Sequence, residues 1–328
     1  MKKIGSILLA ILLLFAGCRK ENVKTELIEG WFPWTGYIGG LYAMNKTDSL
    51  YGIDFKIVDG ADNINPVQLV LADKYKFGVT GAEAIIAANV NTGSDLVAIG
   101  VVNYKSATCF LSLPENNIDT LQDFQGRKIG ILSGTETETI YKALKKKYNL
   151  KIDSTNDEVE APYDLQTFLL KKYDVRPGFT YDEAVTLDMK GIKYNILYPE
   201  RYGVSTLGGV YFTRRKTITE NPELVQKVVN SIAKGWEIAL RNPEEAVTLL
   251  KQHDPKNIDI IRERACFKKG LEYFTGENDS VMYASKRTWK NFENVLKSIG
   301  RVKQDFDINN SFDNSFILNY FKYKNVIK

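Results

Sequence analysis

The chain reads as an α/β protein of two lobes, and three observations predict it. Strand-like and helix-like stretches alternate along most of the 328 residues, the pattern that builds sheets covered by helices. The run Leu96-Val97-Ala98-Ile99-Gly100-Val101-Val102 carries no polar side chain, as a strand buried on both faces requires. At ~100–200 residues per domain the length suits two domains. A 44% hydrophobic and 12% aromatic composition supplies material for both cores.

The chain opens with the basic start Met1, Lys2 and Lys3, an apolar run over 4–15, and Phe15-Ala16-Gly17-Cys18. This is the three-part layout of a secretory signal, and the run is shorter than the ~18 apolar residues of a membrane span. The segment resembles a lipobox. We therefore expect residues 1–17 to be a lipoprotein signal peptide, Cys18 to be the lipidated first residue of the mature chain, and 18–26 to be a polar tether. The expected place is extracytoplasmic, anchored by lipid to the cell membrane or outer membrane, most simply on the periplasmic side.

The elements then follow in order. Residues 54–58 alternate polar and apolar side chains like a strand with one wet face. Residues 77–80 form a second short strand, and 96–102 a third. A polar turn, Pro114-Glu115-Asn116-Asn117, separates these from a second strand series at 128–132 and 194–198. Thr135 and Glu138 suggest a capping box before the apolar positions Ile140, Ala143 and Leu144. Asn221-Pro222-Glu223 and Asn242-Pro243-Glu244-Glu245 each read as an N-cap, a first-turn proline and dipole-matched acids. From Leu224 to Trp236 apolar residues recur at helical spacing. The helical C-terminal part needs a sheet to pack on. The simplest plan is a discontinuous lobe I, 27–112 and 207–328, interrupted by lobe II, 113–206, with the return near Ser205-Thr206-Leu207-Gly208-Gly209.

Composition excludes several functions. The 44 Lys and Arg and 40 Asp and Glu are interspersed, so the net charge of +4 forms no basic stripe for nucleic acid. His253 is the sole histidine, in a polar run that reads as an exposed helix end, and no CxxC occurs. Neither a catalytic set nor a metal site nor a cofactor is expected. Cys109 and Cys266 are read as buried free thiols, although an oxidising compartment would let them pair.

Several segments resemble a known family. Residues 31–43 (WFPWTGYIGGLYA), 77–83 (FGVTGAE), 121–130 (LQDFQGRKIG) and 177–183 (PGFTYDE) are similar, in order and spacing, to the solute-binding proteins of ABC importers for thiamine-pyrimidine precursors, nitrate and sulfonates. The resemblance covers most of residues 27–250. It implies the two-lobed periplasmic-binding-protein (type II) fold with two interlobe crossovers, a small-molecule ligand in the cleft, and partnership with ABC permease and ATPase subunits. It implies a monomer whose membrane contact is through the lipid alone. Asp182 stands where the family usually has asparagine, which leaves the ligand open. The superfamily also holds pyrimidine-precursor synthases, whose cysteine-rich cluster is missing here.

Ligands of such sheets sit at the carboxyl ends of strands. The candidate ligand-binding residues are therefore Trp34, Thr35 and Tyr37 in the first loop, Gly81, Ala82 and Glu83 in the second, Ser133, Gly134 and Thr135 in the third, and Tyr181 and Glu183 in the fourth. Aromatic faces stack on flat rings, and carboxylates accept from amino groups. The Ser133–Thr135 turn suits either an anion or plain helix capping. Glu136 and Asp182 are expected to be surface acids. Arg176 either meets an anion or braces its loop. The expected ligand is a thiamine-pyrimidine precursor or similar amino-heterocycle, with sulfonate, nitrate or a flavin-like ring as alternatives.

Overall fold

The computed structural model describes residues 22–324. Residues 1–17, expected to be a signal peptide, and Cys18 lie outside the described residues. Two five-stranded sheets form the two lobes. The first has the order β2 (Ile53–Val58), β1 (Val23–Glu29), β3 (Phe77–Gly81), β10 (Gly209–Arg214), β4 (Leu96–Val101). The second has the order β7 (Glu158–Glu160), β6 (Ile129–Ile131), β8 (Val175–Phe179), β5 (Thr108–Ser112), β9 (Asn195–Leu197). The two orders are the same pattern used twice. In each sheet one strand runs antiparallel to both neighbours: β10 between β3 and β4, and β5 between β8 and β9. That strand is the first one laid down after a crossover.

The crossovers fall between β4 and β5 and between β9 and β10. Because β5 pairs with β8 and β9, residues 108–112 belong to the second sheet, not to lobe I as the 112/113 boundary expected. The return at β10 lies where the Ser205–Gly209 turn placed it. The tether expectation also needs correction: β1 begins at Val23 and pairs in parallel with β2 from that residue on.

Apolar layers cover both faces of each sheet. The long helix Pro222–Arg241 buries Leu224, Val225, Val228, Val229, Ile232, Ala233 and Trp236 against the first sheet. Trp289, Phe292 and Leu296 of helix Lys286–Ser298 cover its other face. Helix Glu136–Lys147 packs Ile140, Ala143 and Leu144 on the second sheet. The helix starts were foreseen, but their caps were not. Neither Asn221 nor Asn242 makes a side-chain cap bond. Thr135 Oγ1 donates to the carbonyl of Leu132 instead of capping, and Glu138 accepts from the Gly134 N–H. A capping box does occur, at Thr120 and Asp123.

Both Cys109 and Cys266 are free and buried. His253 ends helix Pro243–His253 and bonds Asp59 through Nε2. No helix among the described residues is long and apolar enough to cross a membrane.

Candidate ligand cleft

A cleft of about 1030 Å³ opens between the two sheets. Four strand-to-helix loops build it, and each supplies one side chain in a helix's opening residues. After β1 the chain turns through Trp31 and Trp34 into the short helices Thr35–Tyr37 and Ile38–Tyr42. The Trp34 ring folds back over Gly36: a Cβ at Gly36 would stand 2.0 Å from it. After β3, Glu83 lies in the first turn of helix Ala82–Thr92. After β6, Glu136 opens helix Glu136–Lys147, and after β8 Glu183 opens helix Glu183–Met189.

Of the expected residues, Trp34, Tyr37, Gly81, Glu83, Gly134, Thr135, Tyr181 and Glu183 line this one cleft. Thr35, Ala82 and Ser133 do not. Thr35 is buried below the floor, its N–H donating to Glu263 Oε2 at 3.0 Å. Ala82 is buried, and its N–H donates to the carbonyl of Gly208. Ser133 is exposed and bonded to Glu160.

Aromatic rings form one wall. Trp34 meets Tyr181 at 5.5 Å between centroids and Tyr37 at 5.7 Å, while Tyr181 stacks on Phe179 with planes 6° apart. Trp31 meets Tyr163, which belongs to the opposite lobe, at 4.9 Å. Tyr181 leaves the second sheet yet packs into the first lobe's core beside Phe274.

Acids dominate the polar lining. Glu136, expected at the surface, is buried at 8% exposure. Ser106 and Thr108 donate to its Oε1, and burial pushes its pKa up to about 7 against those bonds. Burial, reinforced by the Glu136 charge, raises Glu83 well above the ordinary carboxylate range. Asp182, also expected at the surface, lines the cleft and pairs with Arg262.

Glu183 is held from both sides. Arg176 Nη2 donates to Oε1 at 3.2 Å and the Phe179 N–H to Oε2 at 2.8 Å. Arg176 itself is fully buried and donates to the carbonyls of Pro162 and Tyr163, so it braces the loop and does not line the cleft.

Asn103, Tyr163, Arg262 and Glu263 also line the cleft without having been anticipated. Asn103 follows β4, so its position at a strand's carboxyl end was the available signal. Arg262 and Glu263 come from a helix near the C-terminus, and no local pattern marks them. Among the described residues, no group of three or more His, Cys, Asp or Glu is disposed to hold a metal ion.

Residues 50–246, more than half of the chain, match the family described as NMT1/THI5 like. The chain belongs to the NMT1/THI5 like family. Riboflavin-binding protein RibY of Chloroflexus aurantiacus is 23% identical over 248 residues, 74% of this chain and 70% of RibY. The formylaminopyrimidine-binding protein of Halalkalibacterium halodurans is 23% identical over 273 residues, covering 80% and 82% of the two chains. Among solved structures, the periplasmic aliphatic sulphonate binding protein SsuA from Escherichia coli superposes with a TM-score of 0.68 at 15% identity, over 88% of this chain and 91% of SsuA. That likeness shows the fold: this NMT1/THI5 like chain is built as a periplasmic binding protein.

Proposed function

We propose that the chain is the extracytoplasmic solute-binding component of an ABC importer, anchored through a lipid on Cys18, and that its solute is a flat, amino-bearing heterocycle of the thiamine-pyrimidine-precursor kind. One observation carries the ligand class. Trp34, Tyr37 and Tyr181 offer ring faces in a cleft whose helix starts carry their own carboxylates, Glu83, Glu136 and Glu183. Open helix N-termini attract anions. Here that position is filled by glutamates, and the cleft's Arg262 is already paired with Asp182 and Glu263. Such a site leaves a sulfonate or nitrate no free cation to meet and favours amino groups. The similarity to the formylaminopyrimidine-binding protein supports the same class.

A flavin-like ring is a second reading. The cleft's 1030 Å³ is at the large end of small-molecule sites, ~300–1,000 Å³, and RibY is a relative. The chain is read as one that binds and releases its solute without turnover, and its similarity to two binding proteins supports this.

Calorimetry with a 4-aminopyrimidine, riboflavin and an alkanesulfonate separates these readings. Binding of a flat ring with no measurable sulfonate binding is expected. Tight sulfonate binding would sink the reading, and product formation above one per chain would overturn the non-enzymatic role.

A further inference from the structure

Three cleft-lining residues each bury a polar atom that has no partner among the described residues: Trp34 Nε1, Asn103 Nδ2 and Glu83 Oε2, of which the last two come from the ends of β4 and β3, the strands on either side of β10. Asn103 is 4% exposed. Its Oδ1 accepts from the Gly209 N–H at 3.4 Å, which sets the orientation of the amide and leaves Nδ2 free to donate. Both residues line the cleft. The backbone brings them together. Gly209 pairs with Gly81 across β10 and β3, and the Ala82 N–H donates to the Gly208 carbonyl at 3.1 Å. The end of β4 and the start of helix Ala82–Thr92 thus meet on the same glycines. A Cβ at Gly208 would stand 2.8 Å from Asn103 Cβ, and one at Gly81 would stand 3.0 Å from Glu83 Oε1. These glycines leave the room that the two side chains occupy.

Buried polar groups in folded proteins nearly always have partners, because an unmet one costs about 1–3 kcal/mol. An amide nitrogen and a carboxyl oxygen left unmet in the lining of one cavity are the places where a ligand's polar atoms fit.

We propose that Asn103 and Glu83 together read the ligand's polar edge, with Asn103 Nδ2 donating to a ring nitrogen or carbonyl oxygen and Glu83 Oε2 accepting from the adjacent N–H. The class of ligand is then a planar heterocycle with an acceptor and an N–H donor on neighbouring positions. The amidine edge of a 4-aminopyrimidine has this order, and so does the lactam edge of a flavin's pyrimidine ring.

The proposal rests on the flat-ring reading of the cleft. The test is calorimetry on the chain from Cys18 onward with two probe pairs. One is 4-amino-2-methylpyrimidine against 2-methylpyrimidine; the other is riboflavin against riboflavin methylated at N3. In the wild type, the member bearing the N–H should bind at least about tenfold tighter than its counterpart, and the pair that binds identifies the source. Glu83→Leu should reduce that preference to within about threefold, whereas Asn103→Leu should weaken both members of the pair alike, because both keep the acceptor that Nδ2 meets. Glu83→Gln, which keeps an acceptor oxygen, should retain the preference, while Asn103→Asp, which replaces the donor with an acceptor, should weaken both members. Equal binding of both members by the wild type, or an undiminished preference in Glu83→Leu, would overturn the subsite while the flat-ring reading stood. If the wild type binds none of the four rings, the flat-ring reading falls, and this inference with it.

Discussion

Glu183 and Glu136 show how burial decides what an acid does. Both open helices; Glu136 was expected at the surface and Glu183 in the cleft. Glu183 is also the counter-charge of a fully buried guanidinium, Arg176. Removing one partner of a buried pair leaves an uncompensated charge, which costs about 3–5 kcal/mol. Glu183→Ala should therefore lower unfolding stability by that amount in denaturant titrations. A loss under about 1 kcal/mol would show that the pair does not hold the fourth loop. Glu136 is different, because only hydroxyls support it. Its pKa rises from 4.5 to about 7 through burial. The folded state therefore holds this proton more tightly than the unfolded chain does. The stability so gained is full below pH 4.5 and is lost as pH rises through about 7. Glu136→Gln mimics the protonated acid, so its melting temperature relative to wild type should climb between pH 4.5 and 8. A difference that stays flat with pH would contradict this.

At the scale of elements, the cleft depends on close helix packing behind it. Helix Ile38–Tyr42 sits on helix Pro222–Arg241, where Trp236 is buried and donates Nε1 to Tyr211 Oη at 3.0 Å. A Cβ at Gly39 would fall 2.2 Å from that indole. Gly39→Ala should then cost about 1–3 kcal/mol through overpacking. It should also weaken ligand binding, because the first loop carrying Trp34 leads directly into this helix. Unchanged stability by chemical denaturation would mean that the helix can shift without loss. The helices themselves were legible. Their prolines at N1, first-turn acids and apolar stripes need only a local window. Their caps were misread, because Asn and Thr side chains choose between several nearby backbone partners once the loop is folded.

For the whole molecule, two crossovers join the lobes, and ion pairs cross between them, one in the cleft and one outside it. Arg262 pairs with Asp182, and Arg301 with Glu138 at 2.8 Å. Arg262, Asp182 and Arg301 are partly exposed, so the pairs add little closing energy, about 0–1 kcal/mol each. The ligand must therefore supply most of the drive to close. Small-angle scattering should show compaction when a bound ring is added, and an unchanged radius of gyration at saturation would rule out hinge closure. For the anchor, Cys18→Ala should release the protein from membranes or block its processing. A variant processed and membrane-bound like the wild type would end the lipoprotein reading.

The sequence by itself determined the α/β class, the strands 54–58, 77–80 and 96–102, the long helix after Pro222, and the loops in which aromatic and acidic residues gather. Each is written in periodicity or spacing over a few neighbouring residues. Only the tertiary structure decided that β5 joins the second sheet, that Arg176 braces a loop, that Glu136 is buried, and that Asn103 and Glu83 line one cleft. Those outcomes hang on partners far away in the chain: Thr35 with Glu263, Asp182 with Arg262, Asn103 with Gly209. Whether a polar side chain is solvated or enclosed depends on which distant segment covers it, and no local pattern carries that information.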